Sequence, residues 1–308
     1  MTKNIFIVFL FAFLSFEQIF SMPWPAQPTS SADPGSVVYI NKLFHETQNI
    51  NGRTVEFYAP ENFQNSKKKL TVIIFGHGQT IPVESYRLTF EHLAKKGMIV
   101  IFPQFDNGFF DQDWQRMGAD YIRLSFEALK KYSDVYDTNH IIFSGHSKGA
   151  YVSLVASGLH EKQQLLKPAS IILFEPAGYD AQLIKNINPK IPVTVTWSAQ
   201  DTIIKEPAVR EIYNLLPSEK KQYIQVQNDS GLNPQLQADH FFVLTAKFTF
   251  GGNNGITPLH YFGTWKWLLG AAWDLESNSN ATNQYIYGDL AQTSGSAKNH
   301  IILRNWSL

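Results

Sequence analysis

The chain alternates between short apolar runs and longer segments whose apolar residues recur every three or four positions. Short continuous runs predict buried strands, and the longer periodic segments predict helices. We place buried strands at residues 70–75, 98–102, 141–144, 169–174, 191–197 and 223–226, and helices at 85–96, 121–129, 150–159, 207–216 and 259–275. This alternation predicts a mainly parallel sheet with helices on both faces.

Two further strands are predicted before this alternating region. Residues 37–44 and 54–58 form a hairpin in this interpretation, with the turn at Asn51 and Gly52. The hairpin brings the predicted central sheet to about eight strands, and the carboxyl ends of the parallel strands are where such sheets form their sites. Functional residues are therefore expected among those that directly follow each strand.

Composition and charge exclude several classes of protein. The chain has 308 residues, of which 44% are hydrophobic and 17% charged, so it can bury a sizeable core. Lys and Arg total 26, as do Asp and Glu, and without a basic stripe nucleic acid is excluded as a partner. Cysteine is absent, which excludes disulfides, thiolate metal sites, a cysteine nucleophile and a lipid anchor on an N-terminal cysteine.

The N-terminus has the pattern of a secretory signal over residues 1–21. Lys3 provides a basic start, residues 5–16 are almost wholly apolar, and Ser21 is a small residue suited to cleavage. The apolar run is shorter than the roughly 20 residues that a membrane span needs. We expect a mature protein that starts near Met22 and is secreted or periplasmic, without a stable membrane span. The alternative is an uncleaved membrane anchor.

The rest of the chain divides into a linker and a single domain. Residues 22–36 contain four prolines and are predicted to be a linker. Residues 37–308 are predicted to be one domain, in which the polar, poorly patterned stretch from about residue 276 forms an irregular tail.

The candidate nucleophile is Ser147, in the sequence Gly-His-Ser-Lys-Gly between the strand at 141–144 and the helix at 150–159. A G-x-S-x-G motif in this context is a sharp strand-to-helix turn that presents a serine hydroxyl above the sheet. The helix start also supplies backbone N–H groups for a developing oxyanion. The alternative is a tight turn with only a structural role.

A serine nucleophile needs a general base and an acid that orients it. Asp201 follows the strand at 191–197, and Glu175, which follows the preceding strand, is the competing acid. His240 lies in a loop beyond the last predicted strand, where it can reach back over the sheet edge. Its rival, His260, follows Thr257-Pro258 and so falls in the first turn of the closing helix, where a structural role is expected.

The oxyanion donors are predicted to be the backbone N–H groups of Gln79 and Lys148. Gln79 follows a strand that ends in Gly-His-Gly, and Lys148 directly follows the nucleophile. The side chain of Lys148 is expected to be solvated. The aromatic loop after residue 103 is expected to line the cleft through Phe109 and Phe110, which are the candidate substrate-binding residues; the alternative for them is the core.

With these motifs the chain resembles the α/β-hydrolases from residue 37 to about residue 275. The His-Gly after a strand, the stretch E-H-L-A-K-K-G-M-I-V-I-F-P-Q and the elbow G-H-S-K-G-A resemble chlorophyllases, platelet-activating-factor acetylhydrolases and polyester-degrading cutinases. The resemblance implies an esterase or lipase that acts on carboxylic esters. Two departures stand out. Secreted cutinases usually carry disulfides, and chlorophyllases commonly have Arg and Gly where this chain has Lys148 and Ala150.

We therefore expect a secreted serine hydrolase that cleaves a small-molecule or lipid-like ester with Ser147, His240 and Asp201. Such chemistry needs neither a metal nor an organic cofactor. A peptidase or amidase with the same triad is a second hypothesis, although the sequence offers no separate propeller or cap domain to select peptides. A binding protein that kept the fold without the activity is a third.

Overall fold

The structure of the protein is a computed structural model. It describes residues 22–23, 26–39, 41–163, 165–178, 180–228, 232–249, 251–252, 255–277 and 304–305. The predicted signal sequence, residues 1–21, and most of the predicted tail lie outside these residues. Within the described part of the chain, no helix combines the length and apolarity that a membrane crossing requires.

The strands form one large sheet and one small one. They are β1 (Met22–Pro23), β2 (Leu43–Ile50), β3 (Arg53–Pro60), β4 (Leu70–Gly76), β5 (Ile99–Pro103), β6 (Tyr136–His146), β7 (Ser170–Phe174), β8 (Val193–Ser198), β9 (Lys221–Val226), β10 (Leu232–Asn233) and β11 (Arg304–Asn305). In the described residues the large sheet has nine strands in the order β11-β9-β8-β7-β6-β4-β5-β3-β2, and β1 pairs with β10.

The centre of the large sheet is parallel and consists of β5, β4, β6, β7, β8 and β9. The edges carry the antiparallel strands β2, β3 and β11. The prediction of a mainly parallel sheet is confirmed: eight of its strands are those expected, and β11 is a two-residue addition beside β9. All the carboxyl ends of the parallel strands therefore meet at one edge of the sheet.

The helices cover both faces of the sheet. They are α1 (Arg87–Lys95), α2 (Trp114–Lys130), α3 (Lys148–Gln163), α4 (Ala181–Ile184), α5 (Glu206–Leu215) and α6 (Trp265–Ser277), with a single π-helical turn over His260–Thr264 before α6. Apolar stripes of α2, α3 and α5 build the core on one face through residues such as Tyr121 and Val155. Helices α1 and α6 build the core on the other face through residues such as Phe90 and Trp267.

The first strand lies later in the chain than predicted, at Leu43–Ile50 rather than at 37–44. Asn51 and Gly52 adopt positive φ angles of 54° and 80°, and this two-residue turn pairs Ile50 directly with Arg53. A strand that enters such a turn must continue to residue 50. The sequence pattern missed it because β2 is a half-exposed edge strand whose polar residues interrupt the apolar run.

The segment predicted to be a linker packs against α1 over its described residues. His92 donates an Nε2 hydrogen bond of 2.8 Å to the carbonyl of Pro34. Lys96 Nζ donates to the carbonyls of Ser31 and Asp33, at 3.2 and 3.0 Å. Residues 31–34 are therefore held by side chains of the domain.

Candidate active site

Ser147 occupies the turn between β6 and α3, with a left-handed φ of 54°. The two glycines of its motif allow the strand and helix to meet. A Cβ on Gly145 would lie 2.5 Å from the carbonyl carbon of Gly149, and a Cβ on Gly149 would lie 2.2 Å from that of Gly76. Both positions therefore exclude side chains, and the close packing holds the serine at the sheet edge.

The structure brings Ser147, His240 and Asp201 together at this edge. His240 Nε2 lies 3.0 Å from Ser147 Oγ, and His240 Nδ1 lies 2.7 Å from Asp201 Oδ2. An ionised carboxylate can only accept, so the proton of a neutral His240 is assigned to Nδ1, and Nε2 accepts from the serine hydroxyl. All three residues are buried, with at most 8% of their surface exposed.

Asp201 is held as an ionised carboxylate. Its Oδ1 accepts the backbone N–H groups of Ile203 and Ile204 at 2.8 and 2.7 Å, while Oδ2 accepts from His240. Burial opposes its ionisation, but the hydrogen bond and charge of His240 together with the two amides outweigh burial and lower the pKa of Asp201. The carboxylate is thus available to orient the His240 ring.

A buried hydrogen-bond chain links the loops around the serine. His146 Nε2 donates to the carbonyl of His240 at 2.8 Å, so a neutral ring leaves Nδ1 as an acceptor for the hydroxyl of Tyr86 at 2.9 Å. The Tyr86 oxygen in turn accepts the N–H of Gly78 at 2.9 Å. Burial lowers the pKa of His146 well below its ordinary value, which keeps the ring neutral and the direction of each bond fixed.

This hydrogen-bond chain determines which backbone N–H groups remain available to bind an oxyanion. The N–H of Gly78 is occupied by Tyr86, which leaves the N–H of Gln79 as the next donor of that loop. The N–H of Lys148 lies in the first turn of α3, where a helix provides no partner. Among the described residues neither N–H has a protein acceptor. The side chain of Gln79 donates to the carbonyl of Phe109 and so connects the two loops.

The side chain of Lys148 is buried, so the expectation that it is solvated is wrong. Its Nζ lies 3.2 Å from Asp106 Oδ2 and 3.5 Å from the carbonyl of Gly108, with only 3% of the side chain exposed. The start of α3 faces the loop after β5, and Asp106 offers a charge partner there. Lys148, the residue after Ser147, is therefore held against the aromatic loop.

Phe109 and Phe110 lie at the protein surface, with 57% and 88% of their areas exposed. They are therefore not core residues. The cavity beside their loop has a volume of about 560 Å³ and is lined by residues such as His77, Phe102 and Asp106, but not by either phenylalanine. Their role in substrate binding stays a prediction.

The two rival residues have different environments. Glu175 is fully buried beside Asp201, and His240 bonds Asp201 rather than Glu175. His260 accepts the N–H of Thr257 and donates to the carbonyl of Leu244, so both of its nitrogens serve the backbone. Burial lowers the pKa of His260 to about 4.

Glu175, Asp201 and His240 also offer potential metal-ligand atoms within 4.8 Å of one another. Both ring nitrogens of His240 are already engaged by Asp201 and Ser147, however, so metal binding would have to break the Ser-His-Asp contacts.

The sequence missed His146, Tyr86 and the Lys148–Asp106 pair. In the sequence, His146 precedes Asp201, whereas the expected order places the base after the acid, and Tyr86 lies at an apolar position of the helix predicted at 85–96. The one available signal was that His146 and Lys148 flank the serine within the elbow.

A parallel sheet with helices on both faces and a strand–serine–helix elbow is the architecture of an α/β-hydrolase. Residues 53–203 of the chain match the family model named Chlorophyllase. The chain therefore has the α/β-hydrolase fold, and its matched segment is similar to the chlorophyllases of that superfamily. The matched segment includes Gln79, Ser147, Lys148 and Asp201 but ends before His240. A comparison with curated proteins gave no match.

Proposed function

We propose that the protein is a secreted serine hydrolase that cleaves a carboxylic ester through an acyl-enzyme. The observation that carries the proposal is the continuous hydrogen-bond path from Ser147 through His240 to Asp201, at 3.0 and 2.7 Å. The chlorophyllase family indicates ester hydrolysis, which agrees with this geometry. The substrate class is a small-molecule or lipid-like ester.

In the proposed reaction, Ser147 Oγ attacks the ester carbonyl carbon while His240 Nε2 takes the serine proton. Asp201 stabilises the imidazolium that forms, and the N–H groups of Gln79 and Lys148 bind the oxyanion. The tetrahedral intermediate collapses, the C–O bond to the alcohol breaks, and His240 returns the proton to the leaving alcohol. Water then attacks the acyl-enzyme by the same route and releases the carboxylic acid.

Replacement of the nucleophile tests this proposal. Ser147→Ala should fold normally and lose about six orders of magnitude in ester turnover. Ser153→Ala is the matched control, because Ser153 is a buried serine of α3 whose hydroxyl donates to the carbonyl of Ala150. Retention of more than a few per cent of activity by Ser147→Ala, in protein free of contaminating esterase, would contradict the assignment.

A substrate panel separates ester hydrolysis from the peptidase or amidase alternative. Purified protein is assayed with matched esters and amides that share one acyl group. We expect turnover of the esters and little turnover of the amides, with activity lost in Ser147→Ala. Faster cleavage of the amides would instead make the protein an amidase with the same Ser147 chemistry.

The proposal of secretion is carried by the sequence of residues 1–21. Expression in a secreting host, followed by N-terminal sequencing of the exported protein, should give a start near Met22. An intact N-terminus recovered from the membrane fraction would favour the anchor instead.

A further inference from the structure

Glu175 directly follows β7 and is a fully buried carboxyl group close to Asp201 and His240. Its backbone has a left-handed φ of 50°. Oε2 accepts the N–H of Ser198 at 2.9 Å, and Oε1 lies 3.0 Å from the Ser198 hydroxyl and 3.4 Å from the Thr196 hydroxyl. Of these three groups, only the backbone N–H of Ser198 must donate to Glu175, since each hydroxyl can either donate or accept a hydrogen bond. Among the described residues, Glu175 therefore has one obligatory donor.

Asp201 lies beside Glu175 and is much better supplied with donors. One oxygen of each carboxyl and one ring nitrogen of His240 lie within 4.8 Å of one another. Asp201 accepts two backbone N–H groups and the Nδ1–H of His240. Two carboxyl groups this close in a buried site cannot both ionise readily, and the negative charge settles on the group with more donors. That group is Asp201.

The other groups around Glu175 offer no positive charge in direct contact. Strand β8 contributes the uncharged Thr196 and Ser198. The segment after β8 contributes Asp201, the loop before α6 contributes His240, and β9 contributes the buried Tyr223. Among the described residues no lysine or arginine forms an ion pair with Glu175.

Burial first, and then the negative charge of Asp201, raise the pKa of Glu175 well above its usual range. The raised pKa of Glu175 agrees with its surroundings, which offer fewer hydrogen-bond donors to Glu175 than to Asp201.

We propose that Glu175 is a positioning residue that remains a neutral carboxylic acid and donates its proton in a hydrogen bond to the Asp201 carboxylate. The inference rests on the proposed function, because it concerns the acid of that triad. Glu175 would hold Asp201 in its position against His240. It would do so without adding a second negative charge, which would favour the protonated His240 ring, a form that cannot accept the serine proton.

The protonation state can be measured in the wild-type protein. Protein labelled with ¹³C at the glutamate carboxyl carbon is studied by NMR and infrared spectroscopy at neutral pH. We expect one glutamate signal with the position of a protonated acid, absent from Glu175→Gln and unchanged in Glu127→Gln, a surface control on α2. If all glutamate carboxyl groups of the wild-type protein are ionised at neutral pH, the proposal is wrong.

Kinetics then test the positioning role. Gln has the shape of the neutral acid and can donate an N–H to Asp201, so Glu175→Gln should keep kcat and the acid limb of the pH–rate profile. Glu175→Ala should lower kcat by up to about a hundredfold with little change in KM, because misplacement of a catalytic group has this size of effect. If Glu175 is ionised, Glu175→Gln should move the acid limb to lower pH, and this shift would overturn the proposal.

The positioning role of Glu175 and the proposed ester hydrolysis can be refuted separately. The carboxyl measurement does not depend on turnover, so it can be interpreted whatever substrate the protein acts on. An ionised Glu175 refutes this inference and leaves the ester hydrolase proposal intact. Ester hydrolysis that survives Ser147→Ala refutes the proposed function, and with it the positioning role of Glu175.

Discussion

The buried pair of Lys148 and Asp106 gives the sharpest prediction on stability. Its Nζ–Oδ2 distance is 3.2 Å, and the two side chains are only 3% and 5% exposed. Asp106→Asn keeps the volume of the side chain but removes the negative charge, so the Lys148 ammonium stays buried without a counter-charge. We expect a large loss of folding stability from this single change.

The distance sets the magnitude. At 3.2 Å and an effective dielectric of about 20, the attraction between two unit charges is about 5 kcal/mol. Removal of one partner of a buried pair typically costs about 3–5 kcal/mol, because the other charge remains desolvated. We expect Asp106→Asn to fall in that range. The double variant Lys148→Met with Asp106→Leu should recover most of the loss, since the desolvation cost disappears together with the attraction.

Urea unfolding of the wild-type protein, the single variants Lys148→Met and Asp106→Leu and the double variant measures the coupling in a double-mutant cycle, and Asp106→Asn is measured beside them. Asp134→Asn is the control, because Asp134 is exposed and its replacement should change stability by less than about 0.5 kcal/mol. If Asp106→Asn costs less than about 1 kcal/mol, the ammonium is not buried as described, and the link between the elbow and the aromatic loop is weaker than we infer.

Three further predictions concern the site and its surroundings. Asp201→Asn should lower kcat about ten-thousandfold in steady-state assays, because an amide favours the wrong tautomer of His240; a loss of less than tenfold would count against Asp201 as the acid. His240→Ala should abolish turnover in a folded protein, whereas His260→Gln should change stability more than rate. His260 has a pKa of about 4 when the protein is folded and about 6.5 when it is unfolded. Its contribution to the free energy of unfolding is therefore complete above pH 6.5. It should fall by about 3 kcal/mol as the pH drops to about 4, and urea unfolding of His260→Gln should show a correspondingly weaker dependence on pH. Phe109→Ala or Phe110→Ala should lower kcat/KM more for long-chain esters than for acetyl esters; equal losses would exclude acyl recognition by these rings.

The sequence contained enough information to predict the sheet and the order of the proposed triad. Continuous apolar runs mark parallel strands buried on both faces, and the residue after each run lies at the common carboxyl edge. Ser147 and Asp201 are predicted as site residues on this basis. His240 followed from its loop position after β9, where the chain can return to that edge.

The sequence pattern could not predict contacts between segments that are distant along the chain. The direction of the Lys148 side chain depends on Asp106, and the role of Tyr86 depends on His146, 60 positions away along the chain. Local periodicity carries no information on such pairs, and on that basis alone Tyr86 is indistinguishable from an ordinary core residue. The proximity of Glu175 to Asp201 was implied only as a shared sheet edge.

The most direct test of the central claim is covalent labelling of the active protein with a fluorophosphonate. The account predicts one adduct per chain, located on Ser147 by peptide mass spectrometry, with ester hydrolysis lost in proportion to labelling. Ser147→Ala should take up no label, and Ser153→Ala should be labelled like the wild-type protein. Full labelling of Ser147 with hydrolysis undiminished, or inactivation by an adduct on another residue, would contradict the claim that Ser147 is the nucleophile.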